Sequence, residues 1–114
     1  MPEAAAPAGW LLVASRPPAP HTGDLWADAT ALRRTGAAVT VIATDDVCAE
    51  AVLGLGGVPG AVAAGVTVLV DSHAAERRNL AGRLPAGTAG GPCGATDDEV
   101  AALLLDPALR TVWR

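Results

Sequence analysis

The stretch VIATDDVCAE, residues 41–50, places Asp45 and Asp46 just before Cys48. An ionised thiol is a nucleophile that can carry sulfur, and carboxylates can transfer protons or hold a divalent ion. A helix beginning near Cys48 would favour the thiolate by about 0.3–1 kcal/mol. A carboxylate about 6 Å away, at an effective dielectric near 40, disfavours it by about 1.4 kcal/mol. We therefore expect an ordinary or raised pKa for this thiol, unless Arg16 approaches from the adjacent strand.

Polar residues also follow two other predicted strands. Ser15 and Arg16 come after the first strand, residues 44–48 after the second, and residues 71–73 after the third. Ligands of open parallel sheets bind beyond the carboxyl ends of the strands. Helix caps also lie there, and capping is the favoured role for the first two residues of the third segment. The candidate site comprises Cys48 as the catalytic thiol and, as binding residues, Arg16, Asp45, Asp46, Asp71, Ser72 and His73.

Sharper motifs are missing from the chain. The glycine run GLGGVPG has the wrong spacing for a dinucleotide-binding loop and precedes a strand where that motif must follow one. Residues 71–73, DSH, contain catalytic residue types, but chain neighbours cannot align as nucleophile, base and orienting group. His21, His73, Cys48 and Cys93 lack the paired spacing of a zinc site. We predict neither a metal nor a cofactor.

The elements that must position these residues alternate between strands and helices. Continuous apolar runs indicate buried strands, and capping and glycine signals mark the helix ends. Thr96 and Glu99 form a capping box at the start of the last helix. We predict strands at 10–15, 38–43, 66–70 and 109–113, a further strand near 83–86, and helices at 24–35, within 45–55, at 61–65, at 72–82 and from 96 onward.

Such alternation predicts a parallel sheet with right-handed crossovers. The expected fold is a single three-layer α/β domain with a mostly parallel sheet of four or five strands, spanning residues 9–114. Residues 1–8 are expected to be a flexible lead-in.

Composition excludes several classes of function. The net charge of −4 is opposite in sign to what binding of nucleic acid requires. The pairs Arg33-Arg34 and Arg77-Arg78 are typical of solvated helix faces. The amino-terminal segment fits neither a signal peptide nor a membrane span. Two distant cysteines do not make a disulfide framework, so we expect a reduced, cytoplasmic protein.

Several stretches, taken in order, match one known family. Its second strand typically ends in an Asp-Gly-Val turn, matched by residues 45–47 with Asp46 in place of glycine, and its third strand arrives as a Gly-Val pair, here Gly65 and Val66. The matching stretches are GWLLVAS (9–15), ALRRTGAAVTVIATDDV (31–47), AAGVTVLVDSHAAERRNL (63–80) and ATDDEVAALLLDPALRTVW (95–113). On these features the chain resembles the DsrE/DsrF/DsrH-like family of small sulfur-relay proteins (Tus-type).

The resemblance implies a flavodoxin-related domain that assembles into oligomers. Some members carry a persulfide on a cysteine just after the third strand, and others serve as partner subunits without it. Asp71 holds that position here. The resemblance thus predicts a carrier or an accessory subunit in sulfur trafficking. The partners it predicts are further copies of this chain in a homo-oligomer or related DsrE-type subunits, and a sulfur donor or acceptor protein.

Three functions remain open from the sequence, and whether the protein is an enzyme is undecided. It could carry sulfur on Cys48, with Cys93 as a weaker candidate. It could be a non-catalytic structural or ligand-binding subunit. It could also be an acid–base or metal-dependent enzyme using Asp45, Asp46 and Asp71.

Two tryptophans bear on assembly. Trp26 and Trp113 are large apolar groups in a small domain. We expect them at an interface between subunits.

Overall fold

A computed structural model describes residues 9–15, 24–84 and 91–114. Helices follow strands along the described chain, as predicted. The elements are β1 (Gly9–Ala14), α1 (Leu25–Arg34), β2 (Ala38–Ala43), α2 (Val47–Leu53), α3 (Val58–Ala64), β3 (Thr67–Asp71), α4 (Ser72–Arg77), a 3-10 turn (Ala81–Arg83), β4 (Cys93–Ala95), α5 (Asp97–Leu104) and β5 (Leu109–Trp113).

The five strands form one sheet in the order β4-β3-β2-β1-β5, and every pair is parallel. Strand β1 lies between β2 and β5, with Leu12 level with Val41 on one side and Val112 on the other. The predicted three-layer α/β architecture with a parallel sheet is confirmed.

The two faces of the sheet are covered unequally. One face packs against α1 to α4, and its core includes Leu12, Val41 and Val68. The other face, with Leu11 and Ile42, packs against α5. The chain moves in one direction across the sheet from β1 to β4 and then returns past β1 to β5. Right-handed crossovers therefore place the helices of the first three connections on one face and α5 on the opposite face.

Side chains cap the starts of α1 and α5, and the second of these caps was predicted. The side chain of Asp24 accepts a hydrogen bond from the Trp26 N–H at the start of α1. Thr96 and Glu99 form the predicted capping box at the start of α5, so each side chain satisfies a free N–H of the other residue.

Trp26 does not lie at a surface, and the expectation that it forms an interface is wrong. It is 1% exposed in the core beneath the helices. Its indole N–H donates to Glu50 Oε1 at 3.1 Å, which satisfies the one polar atom of the ring. The backbone at the start of α3 approaches this side chain closely. A Cβ added at Gly57, the N-cap of α3, would lie 2.7 Å from the Trp26 Cβ.

Three elements differ from those predicted. Helix α3 begins at Val58 and not at residue 61, because Pro59 lies in its first turn, where proline is favoured. Helix α4 ends at Arg77 rather than near Gly82, because Asn79 has a φ of 56° and turns the chain, and the Leu80 N–H bonds back to the Ala75 carbonyl. Arg83, expected in a fourth strand, lies in the 3-10 turn, and residues 85–86 fall outside the described residues. The fourth strand is instead Cys93–Ala95, which pairs with the end of β3.

The helices are short, the longest being α1 with 10 residues. Among the described residues, none of the helices combines the length and the apolar composition that a membrane span requires. The pair α2 and α3, bent by 67°, meets the same length and composition test only when taken together.

The close approach of α3 to Trp26 predicts the effect of adding one methyl group. Gly57→Ala should lower the free energy of unfolding by about 1–3 kcal/mol, because the new Cβ meets a Cβ fixed to the backbone of α1. Gly60→Ala, inside α3 and with nothing within 4 Å of the new Cβ, should raise the free energy of unfolding by about 0.4–1 kcal/mol. Urea unfolding of both variants measures the difference, and equal effects would contradict this packing.

Candidate functional site

Apart from Cys48, the predicted site residues that the structure describes lie at the carboxyl ends of β2 and β3, which neighbour the end of β1. The N–H of Thr44 donates to the Ala14 carbonyl at 2.9 Å, which joins the ends of β1 and β2. The Thr44 hydroxyl donates to Asp71 Oδ2 at 3.1 Å, which joins the ends of β2 and β3. The ends of three neighbouring strands therefore form one continuous polar edge.

The carboxylate of Asp71 is engaged on both oxygens. Oδ1 accepts the backbone N–H groups of His73 at 3.0 Å and Ala74 at 3.5 Å, so Asp71 caps α4. Oδ2 accepts the Thr44 hydroxyl. The favoured capping role of Asp71 is confirmed, and its carboxylate also fixes the end of β3 to the end of β2.

The two residues after Asp71 have different environments. The Ser72 hydroxyl donates to the Ala95 carbonyl at 2.8 Å, which ties the start of α4 to β4. Ser72 is thus the first residue of the helix and not its cap. The side chain of His73 is exposed to solvent.

Asp45 and Asp46 form the turn between β2 and α2. Asp45 has a φ of 47°, in the left-handed region that asparagine and aspartate tolerate better than most residues, and its carbonyl accepts the Cys48 N–H at 3.2 Å. Asp46 forms an exposed ion pair with Arg78, with 3.2 Å between Oδ1 and Nη2. Exposed pairs of this kind add little stability.

Cys48 lies inside the core and not at the mouth of a site. It is 0% exposed and belongs to the apolar cluster under α1 to α4. Burial raises the pKa of the Cys48 thiol, the positive charge of Arg78 opposes this, and the negative charge of Asp71 adds to it. The raised direction agrees with expectation, but burial and Asp71 are the causes, and the opposing arginine is Arg78.

Cys93 lies on the opposite face of the sheet from the helices that bury Cys48. It is level with Leu69, whose side chain belongs to the α5 face, and it is 7% exposed. It borders a cavity of about 280 Å³ that Thr67 and Val62 also line. Burial raises the pKa of the Cys93 thiol, and the negative charge of Glu99 raises it further. Both cysteines are free thiols.

Sequence reasoning assigned no role to Thr44 or Arg78, although both contact site residues. Arg78 was grouped with a solvated pair, whereas it is half-buried and reaches across from the end of α4 to the α2 turn. The predicted partner Arg16 falls outside the described residues, as does His21. Within the ranges that the structure covers, no three His, Cys, Asp or Glu side chains are grouped to hold a metal ion.

Comparisons with protein-family models, curated proteins and solved structures find no match to this chain. The functional assignment therefore depends on the geometry at the ends of β2 and β3. There, the polar side chains of Thr44, Asp71 and Ser72 all form bonds within the protein.

The engagement of Asp71 predicts unequal effects of two substitutions. Asp71→Ala removes the cap and the acceptor for Thr44, so we expect a loss of about 1–3 kcal/mol in the free energy of unfolding. Asp71→Asn keeps an oxygen for the cap and an amide that can bond to the Thr44 hydroxyl, and should cost under about 1 kcal/mol. Asp46→Ala, which removes the exposed ion pair, is the control. Equal losses for Ala and Asn at position 71 would contradict this role.

The buried thiol predicts how stability depends on pH. Because folding raises the pKa of Cys48, the folded state favours the protonated thiol. The contribution of the protonated Cys48 thiol to the free energy of unfolding is complete below the unfolded thiol pKa of about 8.5. This contribution is lost as pH rises toward the pKa of the folded state. Urea unfolding between about pH 8 and pH 10 under reducing conditions should show a steeper loss for the native chain than for Cys48→Ala. Parallel curves would contradict the assignment.

Proposed function

We propose that the chain is a DsrE-like accessory subunit of a sulfur relay, which supports a carrier protein and does not itself hold the transferred sulfur. The observation that supports this most directly is at Asp71. The resemblance places the carrier cysteine of active members at this position, and here both carboxylate oxygens accept hydrogen bonds within the fold. At the position of the carrier cysteine, this chain therefore has a residue that joins β2 to β3 and caps α4.

The chemistry of sulfur transfer argues against Cys48 as a substitute. A carrier thiolate attacks a sulfur–sulfur bond of a polysulfide or persulfide donor, a new sulfur–sulfur bond forms on the cysteine, and the donor leaves shortened by one sulfur with the electron pair. This needs an ionised and accessible thiol. Cys48 is 0% exposed, and burial raises its pKa. The accessory role is therefore better supported than the carrier role.

The acid–base or metal-dependent alternative has less support from the geometry. Asp71 is engaged by Thr44 and the start of α4, and Asp46 by Arg78. Asp45 is exposed in a turn.

A reduced cytoplasmic location belongs to the same proposal, because both cysteines are free.

Sulfur uptake followed by intact mass tests the proposal. The native chain, incubated with polysulfide and then desalted, should gain no sulfur, each atom of which would add about 32 Da. Asp71→Cys should gain one sulfur, because it places a half-buried thiol at the carboxyl end of β3. Asp71→Ser is the matched control, since it has nearly the same size and no thiol.

Each outcome bears on a separate part of the proposal. Sulfur on Cys48 of the folded native chain, located by peptide mass, would make the protein a carrier and overturn the accessory role. A folded Asp71→Cys variant that takes up no sulfur would remove the basis for equating position 71 with the carrier position.

A DsrE-like carrier from the same genome should transfer sulfur faster with the native chain present than without it.

A further inference from the structure

The outer edge of β5 carries backbone groups of Thr111 and Trp113 for which the described residues supply no partner. The N–H of Arg114 donates to the Val13 carbonyl at 2.8 Å, and its carbonyl accepts the Ser15 N–H at 3.4 Å. In a parallel pair alternate residues bond to the same neighbour, so the backbone of Thr111 and Trp113 points away from β1. Among the described residues, β1 is the strand that pairs with β5, and the opposite edge of β5 is open.

Of the features by which monomeric proteins prevent pairing, this edge has a charged side chain, Arg110, which is held over the Trp10 ring of its own chain. Open edges are usually short, bulged, or interrupted by proline or by lysine. At the other side of the sheet, β4 has three residues. In contrast, β5 has five residues without proline, and its Trp113 is 68% exposed. An open edge of this composition is expected to be covered by another strand.

The sequence LRTVW is complementary to itself in antiparallel register. We propose that β5 pairs with β5 of a second copy about a two-fold axis at Thr111, which makes one sheet continuous across two chains. In this register Leu109 stands opposite Trp113 of the second copy, and Arg110 stands opposite Val112. Each exposed tryptophan then covers a leucine, and the two threonines meet at the axis.

Hydrogen bonding and charge both fit this register. The Leu109 N–H already donates to the Asp106 carbonyl, which leaves its own carbonyl to accept the Trp113 N–H of the second copy. Arg110 lies over the Trp10 ring at 5.4 Å, and Arg114 pairs with Asp28 at 2.8 Å. Both arginines are held within their own chain, and no like charges stand opposite each other across the axis.

Light scattering after size-exclusion chromatography tests the dimer on the full chain. The native protein should elute at twice its mass of 11.3 kDa. Thr111→Pro removes the outward N–H without touching a bond to β1, and should raise the dimer dissociation constant by about tenfold or more. Leu53→Arg, which removes an exposed apolar side chain on α2, is the control and should leave the dimer intact.

A cysteine placed on the axis tests the register without depending on a destabilising change. Directly opposed residues of a hydrogen-bonded antiparallel pair have Cα atoms about 5.5 Å apart, which suits a disulfide. Thr111→Cys should therefore form a disulfide-linked dimer on mild oxidation, and Arg110→Cys, opposite Val112, should not. A native monomer at all concentrations would overturn the proposal. The proposal would also be overturned if the folded Thr111→Pro variant remained a dimer and the Thr111→Cys variant formed no crosslink.

Discussion

The direction in which the chain crosses the sheet decides where everything else can lie. From β1 to β4 every step goes the same way, so right-handed connections place four helices on one face. The return to β5 places α5 alone on the other face. Thus β1, β2 and β3 are interior strands, polar turns follow the ends of β2 and β3, and β5 becomes an edge.

The polar turns serve the architecture first. Parallel strands have no hairpins to fix their ends, so side chains at the carboxyl edge hold neighbouring strands together. Thr44 and Asp71 join β2 to β3, and Ser72 joins α4 to β4. A side chain whose polar atoms are already hydrogen-bonded within the fold is poorly available to bind a ligand or to react. Two of the groups that suggested chemistry in the sequence, Asp71 and Ser72, are thus explained by the joining of strands and helices.

Much of the fold could be predicted because its signals are local. The strands β1, β2 and β3 are mainly apolar runs, and the capping box of α5 lies within four residues. Strand β4 could not be predicted, because the small residues Cys93–Ala95 acquire their pairing only from β3. The early end of α4 depends on one asparagine with positive φ, which no periodicity reveals. At the site, the contact between Thr44 and Asp71 spans 27 positions and requires the register of two strands.

Cys48 shows why neighbouring charges are a weak guide to thiol chemistry. Adjacent aspartates in the sequence suggested a raised pKa, and the pKa is raised, yet the main cause is depth in the core. Depth also removes access, which charge arguments do not address. Both thiols are buried, and the side chains of Thr44, Asp71 and Ser72 are bonded within the fold. An open β5 edge with an exposed tryptophan fits a role carried out through association, and this connects the proposed accessory function with the proposed pairing.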